Sequence, residues 1–159
     1  MTTTTTTTAA TPETETPWLK QMRKLLTGGE PPPIARTIGF ELLDVSSGAA
    51  SFTLQADPAR HANPMGTMHG GVLVDLGDAA MGFAMASTLA AGESFTTIEL
   101  KANYFKPVWN ARLRADAKMV KRSRSLGYLE CDVVDDTGAL VCRLASTCMV
   151  LRGEAASGR

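Results

Sequence analysis

The chain has 159 residues, of which 16 are Lys or Arg, 16 are Asp or Glu, and 44% are hydrophobic. This length fits one domain with a single core. A formal net charge of zero argues against a protein that grips nucleic acid or an anionic membrane, because both need a basic surplus. With three cysteines and two histidines, neither a disulfide framework nor a metal site is expected.

The first 15 residues form a polar, threonine-rich segment that lacks the basic and apolar regions of a signal peptide. Low hydrophobicity and low complexity predict that residues 1–15 are disordered. No apolar run reaches the length of a membrane span without charge, so no membrane partner is expected. Together with free thiols, this favours a cytoplasmic protein.

Residues 16–33 predict a short helix followed by a proline-rich linker. Thr16 suits the capping position, and Pro17 suits the first helical position. The glycines at 28–29 end the helix, and the prolines at 31–33 block its continuation. The apolar stripe of this helix consists of Trp18, Met22, Leu25 and Leu26.

A β-hairpin is predicted next, because residues 38–45 and 50–55 alternate in hydrophobicity around a turn. Residues 57–71 form a loop that is long for a compact domain, which favours a functional role. Residues 72–91 are rich in Ala, Leu and Met and predict a helix. This helix is apolar nearly all round, so we expect it to be buried on most sides.

The remaining segments alternate as strands do, and they are residues 96–105, 111–121, 127–134 and 139–151. One long helix among strands that are joined by turns predicts an α+β class, with an antiparallel sheet wrapped around the helix. The folded domain should span residues 34–152, followed by a flexible C-terminus at 153–159. A curled open sheet exposes its edges, so we expect a homo-oligomer that pairs them. The segment 96–105 is the candidate edge.

Polar chemistry concentrates in the loop before the long helix. Gly70 and Gly71 open this helix, and free N–H groups there could stabilise an oxyanion. Asn63 and His69 add polar side chains beside them. Each residue taken alone also has a plain structural explanation: a loop-to-helix junction, a turn residue or a core histidine.

Asp78 lies on the same predicted helix, about two turns further in. It shares a stripe with Gly71, Asp75 and Gly82, so one helix face is polar or small. A carboxylate in an apolar setting is costly unless it has a partner or a function. Asp78 is therefore a candidate general base or nucleophile, and Asp75 is interpreted as a surface or subunit-contact residue.

This pattern resembles the hotdog-fold acyl-CoA thioesterases of the phenylacetate-type (PaaI-like) branch. The family carries an Asn, a Gly and a His-Gly-Gly run before the helix, then an acidic residue nine positions after the His. The matching residues are Asn63, Gly66, His69, Gly70, Gly71 and Asp78. The resemblance covers residues 36–151 and includes the segments 103–107 and 136–138. Thr97, favoured over Thr96, falls where relatives often carry a hydroxyl that holds the attacking water.

The resemblance implies a hotdog fold and hydrolysis of an aryl- or medium-chain acyl-CoA thioester. It implies that Asp78 acts as general base or nucleophile and that the Gly70 N–H forms the oxyanion hole. Asn63 and His69 would orient water or polarise the carbonyl. The glycines at 66 and 71 would contact substrate. The site would lie between subunits of a dimer or dimer of dimers, with Asp78 facing the partner's loop, and coenzyme A would be substrate rather than cofactor.

Residues 112–124 carry six basic side chains against one acid. They form either a solvated strand face or a clamp for the phosphates of coenzyme A, in which Arg122, Ser123 and Arg124 would take part. Relatives usually have a Gly between the basic residues of this turn. Nucleic-acid binding is disfavoured, because the segment lacks aromatic side chains for stacking.

Two other functions are alternatives to thioester hydrolysis. A non-catalytic acyl-CoA-binding hotdog protein would be expected to lose Asp78, Asn63 or His69, and all three are present. Dehydratases on this fold have a different Asp-to-His pattern, which is absent here. The acyl group stays open, since one set of side chains could line an apolar pocket or belong to the core. These are Met65, Met68, Met81, Phe83 and Met85.

Overall fold

The computed structural model of the chain describes residues 15–158. The predicted disordered tail lies outside these residues, apart from Glu15. The helices are α1 (Pro17–Leu26), α2 (Pro33–Ile38), α3 (Pro58–His61) and α4 (Gly70–Ala86), and a 3-10 helix follows at Gly153–Ala156. The strands are β1 (Phe40–Ser46), β2 (Ala49–Gln55), β3 (Ser94–Tyr104), β4 (Arg112–Arg122), β5 (Leu126–Val134) and β6 (Leu140–Leu151). Within the described chain, no helix is long and apolar enough to cross a membrane.

The six strands form one sheet in the order β1-β2-β4-β5-β6-β3, and every neighbouring pair is antiparallel. The long helix α4 packs across it, mainly on β2, β4 and β5. This arrangement confirms the predicted α+β class and the sheet wrapped around one helix. It also confirms that β3 is an edge strand, which leaves one row of its backbone groups without a partner strand among residues 15–158.

The inner face of α4 builds the core. Its fully buried members include Leu76, Ala80, Met81, Ala84 and Met85. Gly77 lets the helix approach β6 closely, because a Cβ atom there would lie 2.7 Å from Leu144 Cδ1. Of the residues considered for an apolar pocket, Met81 and Met85 therefore belong to the core, whereas Met65 is 81% exposed.

The C-terminal end of α4 differs from the prediction, which extended the helix to residue 91. The helix ends at Ala86. The Ser87 hydroxyl donates to the Ala84 carbonyl oxygen at 2.8 Å, and the Thr88 hydroxyl donates to Met85 O at 2.8 Å. Hydroxyls that satisfy the last carbonyl groups in this way compete with continuation of the helix.

The N-terminal helix was predicted correctly at its start, since the Thr16 side chain accepts from the Leu19 N–H at 3.1 Å. Its buried face was predicted only in part. Leu19 and Met22 are buried, while Leu26 is 40% exposed. The prediction that the prolines form only a linker was wrong. Pro33 begins α2, because the first helical position needs no N–H donor.

Candidate functional site

The loop before α4 is shaped by Asn63. Its backbone N–H donates to Thr67 O at 2.7 Å, and its Nδ2 donates to Thr67 Oγ1 at 2.9 Å. Its Oδ1 accepts from the Met65 N–H at 2.9 Å. Gly66 adopts a φ of 82°, which only glycine reaches without strain. The Asn63 amide therefore holds the turn of its own loop.

Hydrogen bonds from outside the loop fix its position. Met68 N donates to Val108 O at 2.7 Å, and His69 N donates to His61 O at 2.7 Å. His61 is buried, and its Nε2 lies 2.9 Å from the Ile38 carbonyl oxygen. His61 is thus the structural histidine of the pair, which leaves His69 as the candidate for chemistry.

His69 caps α4 with its own ring. The Gly71 N–H donates to His69 Nδ1 at 2.9 Å, so Nδ1 carries no proton. In the neutral ring the proton is then on Nε2, which makes the exposed side of His69 a hydrogen-bond donor. The Gly70 N–H has no acceptor among residues 15–158. Of the two glycines, Gly70 therefore carries the free donor.

Tyr104 covers the start of α4. Its hydroxyl donates to the Gly70 carbonyl oxygen at 3.1 Å, and a Cβ atom on Gly70 would lie 3.1 Å from the phenol. Beside this contact a mostly apolar cleft opens. Its lining includes Met68, Leu73, Tyr104, Phe105 and Val108. The sequence indicated Tyr104 only as part of the segment 103–107, which matches the thioesterase family. Its contact with Gly70 gives that match a structural reason.

Contacts at both ends show that α4 runs antiparallel along β3. Tyr104 lies on Gly70 at one end, and at the other end a Cβ atom on Gly82 would lie 3.6 Å from the Phe95 ring. Asp78 is about two thirds of the way from Gly70 to Gly82. The same proportion of β3, counted from Tyr104 toward Phe95, falls at Ile98, the residue after Thr97.

Thr97 is the threonine that faces α4. It pairs across the sheet with Cys148, which is buried, and Thr97 Oγ1 lies 3.8 Å from Cys148 Sγ. Thr96 pairs with Met149 and points to the other side. Burial raises the pKa of the Cys148 thiol, and the charge of Asp78 raises it as well. We infer from this and from the course of α4 that Asp78 and Thr97 lie in the same part of the contact between α4 and β3.

Asp75 and Asp78 lie on a face of α4 that is exposed in the single chain. The prediction of a helix buried on most sides was wrong for this face. Surrounding protein atoms still desolvate Asp78 and raise its pKa, and the negative charge of Asp75 raises it further. Desolvation also raises the pKa of Asp75, and the electrostatic interaction with His69 partly offsets this increase. Asp78 is thus a carboxylate with increased basicity at an open surface.

Gly70 and Asp78 cannot act on one carbonyl group within a single chain. They are eight residues apart on one helix, which separates them by about 12 Å along its axis. The chain therefore presents two separate groups of candidate residues. One contains the Gly70 N–H and His69 at the start of α4, and the other contains Asp78 and Thr97.

Sequence reasoning missed the role of Asp135. This carboxylate is buried and forms an ion pair with Lys106. It also accepts from Thr137 Oγ1 at 2.6 Å and from the Ala139 N–H at 3.0 Å. These partners, Lys106 first, hold the pKa of Asp135 well below its usual range. An Asp at the first position of a turn was the available signal, and it ties the segments 103–107 and 136–138 together.

The basic turn between β4 and β5 is only partly free. Arg122 lies 3.6 Å from Glu93, which also pairs with Arg152 at 2.5 Å. The Ser123 hydroxyl closes the turn by accepting from the Leu126 N–H at 3.0 Å. Arg124 is exposed. Of the three residues predicted to contact coenzyme A, Arg124 is the one with an open side chain.

The chain is similar to known thioesterases in sequence and in structure. Residues 65–142 match the model of the thioesterase superfamily. The 1,4-dihydroxy-2-naphthoyl-CoA hydrolase of Listeria monocytogenes is 28% identical over 109 residues, which cover 69% of this chain and 88% of the relative. A variant of the phenylacetic acid degradation protein PaaI from Thermus thermophilus is 28% identical, with a TM-score of 0.69 over 74% of this chain and 98% of that one. The E. coli PaaI protein shares the fold at 18% identity, with a TM-score of 0.74 over 86% and 94% of the two chains.

Residues 65–142 carry a domain of the thioesterase superfamily, the chain has the hotdog fold, and its named relatives are thioester hydrolases. Within this family it is similar to the PaaI proteins of phenylacetic acid degradation. Both the predicted fold and the predicted family are confirmed. No group of three or more metal-ligating side chains occurs in the part of the chain that the structure describes.

Proposed function

We propose that this protein hydrolyses an aryl- or medium-chain acyl-CoA thioester to the free acid and coenzyme A. The observation that carries the proposal is the pair of half-sites on α4. At its start are a ring donor and an N–H that has no acceptor among the described residues, and a carboxylate of raised pKa lies about 12 Å further along on the open face. The name of the Listeria relative, a CoA-thioester hydrolase, supports this substrate class.

Asp78 supplies the base or the nucleophile in this proposal. Either role requires the ionised carboxylate, and partial desolvation strengthens it as a base. Thr97, which pairs with the buried Cys148 in the sheet, is suited to hold the hydrolytic water. General-base catalysis of this kind contributes about 100-fold or more to the rate.

Stabilisation of the oxyanion falls to the start of α4 in a second subunit. The Gly70 N–H has no acceptor in the part of the chain that the structure describes, and the positive end of the helix dipole lies behind it. The His69 Nε2–H is a second donor at the same place. Asn63 contributes by shaping the loop that carries both, and Gly66 and Gly71 keep the backbone open to substrate.

A homo-oligomer is required by this arrangement, because the two half-sites of one chain are too far apart. Two α4 helices that pack antiparallel would bring Asp78 of each subunit to Gly70 of the other, as a two-fold interface does. The edge strand β3 lies along the same surface, and its Ile98 is 56% exposed. Covering this edge removes an aggregation-prone surface.

The two ends of the substrate have separate candidate sites. The apolar cleft beside Gly70, lined by Leu73 and Phe105, suits an aryl or aliphatic acyl group. The exposed Arg124 suits a phosphate of coenzyme A. Arg122 of the same turn lies 3.6 Å from Glu93. Glu93 is four residues before Thr97, which corresponds to about 13 Å along an extended strand. An extended pantetheine arm can span this distance.

The first test is hydrolysis of a panel of aryl-CoA and fatty-acyl-CoA esters, followed by release of the free thiol. We expect turnover of at least one class. If CoA esters bind, as measured by calorimetry, but no thiol is released, the protein is a binding protein and the proposed reaction is wrong.

A second test asks whether each site is shared between subunits. Gly70→Pro removes the N–H at the first helical position, where proline is tolerated, and Gly70→Ala is the matched control that keeps it. Asp78→Asn removes the base. Gly70→Pro and Asp78→Asn should each be inactive alone, but their mixed and re-equilibrated dimers should regain about one quarter of the normal activity, because half of these dimers carry one intact site. Absence of recovery, with mixed dimers demonstrated by mass spectrometry, would contradict a shared site.

A further inference from the structure

A series of three neighbouring side chains, Thr97, Cys148 and Ser146, connects Thr97 to the backbone of its own strand. Thr97 Oγ1 lies 3.8 Å from Cys148 Sγ, and Cys148 Sγ lies 3.9 Å from Ser146 Oγ. The Ser146 hydroxyl donates to the Glu99 carbonyl oxygen at 2.9 Å. Cys148 and Ser146 are both fully buried, whereas Thr97 is exposed.

This series of side chains ends at an irregularity in the pairing of β3. Thr97 pairs with Cys148 and Glu99 pairs with Thr147, so Ile98 is an extra residue in the edge strand. Such bulges redirect side chains and are common beside active sites. The bond from Ser146 to Glu99 O holds the strand directly after this bulge. The position and direction of the Thr97 side chain therefore depend on β6.

Either atom of each sulfur contact could be the donor, but only one arrangement of protons makes both contacts hydrogen bonds. The Ser146 hydroxyl proton is used on Glu99 O, so in this arrangement Ser146 accepts from the Cys148 thiol. The single S–H of Cys148 is then used, so its sulfur accepts from Thr97. The Thr97 hydroxyl proton points to Cys148 in this arrangement, and the oxygen of Thr97 keeps its lone pairs for another donor.

We propose that Cys148 is a positioning residue that makes Thr97 a hydrogen-bond acceptor for the hydrolytic water. This inference rests on the proposed function. The water gives one proton to Asp78 and is held through its other hydrogen by Thr97 Oγ1, so its oxygen lone pair is free for the carbonyl carbon. The C–O bond forms, the C–S bond breaks as the intermediate collapses, and the proton on Asp78 passes to the departing sulfur of coenzyme A.

The test uses Cys148→Ala and Cys148→Ser in the full chain, with kcat and KM measured for the best CoA ester. Cys148→Ala frees the Thr97 proton to turn outward, and we expect kcat to fall by about 3–10-fold with KM unchanged, the effect of one neutral hydrogen bond. Cys148→Ser keeps one donor and one acceptor and should restore most of kcat. Cys131→Ala, which truncates another buried thiol in the sheet, is the control for lost packing.

A double-mutant cycle separates positioning from general stability. In a Thr97→Val background, Cys148→Ala should cost no further loss of kcat, because the residue through which it acts is gone. The same loss in both backgrounds, an equal loss in Cys131→Ala, or no difference between the Ser and Ala variants would overturn the proposal. If the unmodified protein hydrolyses CoA esters while Cys148→Ala is fully active, only this inference fails. If the unmodified protein releases no thiol, the proposed function fails with it.

Discussion

The close packing of α4 against β6 can be tested by adding one methyl group to the helix at Gly77. Gly77→Ala places a Cβ atom 2.7 Å from Cδ1 and 2.8 Å from Cδ2 of Leu144, which is itself fully buried. Overpacking of this kind costs about 1–3 kcal/mol. Alanine in place of glycine inside a helix returns about 1 kcal/mol. We therefore expect a free energy of unfolding lower by about 0–2 kcal/mol.

Gly82→Ala is the matched control on the same helix. Its Cβ atom would lie 3.6 Å from the Phe95 ring, an ordinary contact, so the gain of about 1 kcal/mol should remain. The two variants should differ by about 1–3 kcal/mol, or roughly 2–12 °C in Tm by calorimetry. Leu144→Ala should remove the penalty of Gly77→Ala. If the two glycine variants are equally stable, α4 does not lie on Leu144 as described here.

Three further predictions concern charge. Asp75→Asn removes the negative charge that raises the pKa of Asp78, so the acidic limb of the kcat profile should move to lower pH; an unchanged profile would mean that the two groups do not interact. Asp135→Asn should lower Tm at pH 7, and the gap to the unmodified protein should close as pH falls below about 4, because a lowered folded-state pKa stabilises only above the unfolded value. Changing Arg122 and Arg124 to Ala should raise KM for CoA esters by up to about 5-fold with kcat retained, and equal slowing of a thioester without the nucleotide would exclude a phosphate clamp.

The fold could be predicted because its signals are local. Alternation along the strands, the turn at 135–138 and the Ala-, Leu- and Met-rich run each specify one element. The end of α4 was missed, because hydroxyls at Ser87 and Thr88 decide it, and a residue count does not show where a side chain bonds. The start of α2 was missed because proline both ends and begins helices.

The candidate site was predicted as a set of residues but not as a geometry. The spacing from His69 to Asp78 indicated candidate residues for both half-sites, yet the sequence did not show that the Asn63 amide is used within its own loop. Nor did it show that the His69 ring occupies the N–H of Gly71. Partners distant in sequence, such as Cys148 beside Thr97, depend on strand register, which a single sequence does not reveal.

In the proposed mechanism the Asp78 carboxylate performs the thioester hydrolysis as base or nucleophile. Asp78→Asn keeps the size of the side chain but removes its basicity and nucleophilicity, so kcat for CoA-ester hydrolysis should fall at least about 100-fold. Asp75→Asn, on the same exposed face, should cost much less, and circular dichroism should show both variants folded. Near-normal kcat in Asp78→Asn beside a folded, inactive Asp75→Asn would assign the chemistry to the other aspartate. Full activity in both would contradict the mechanism.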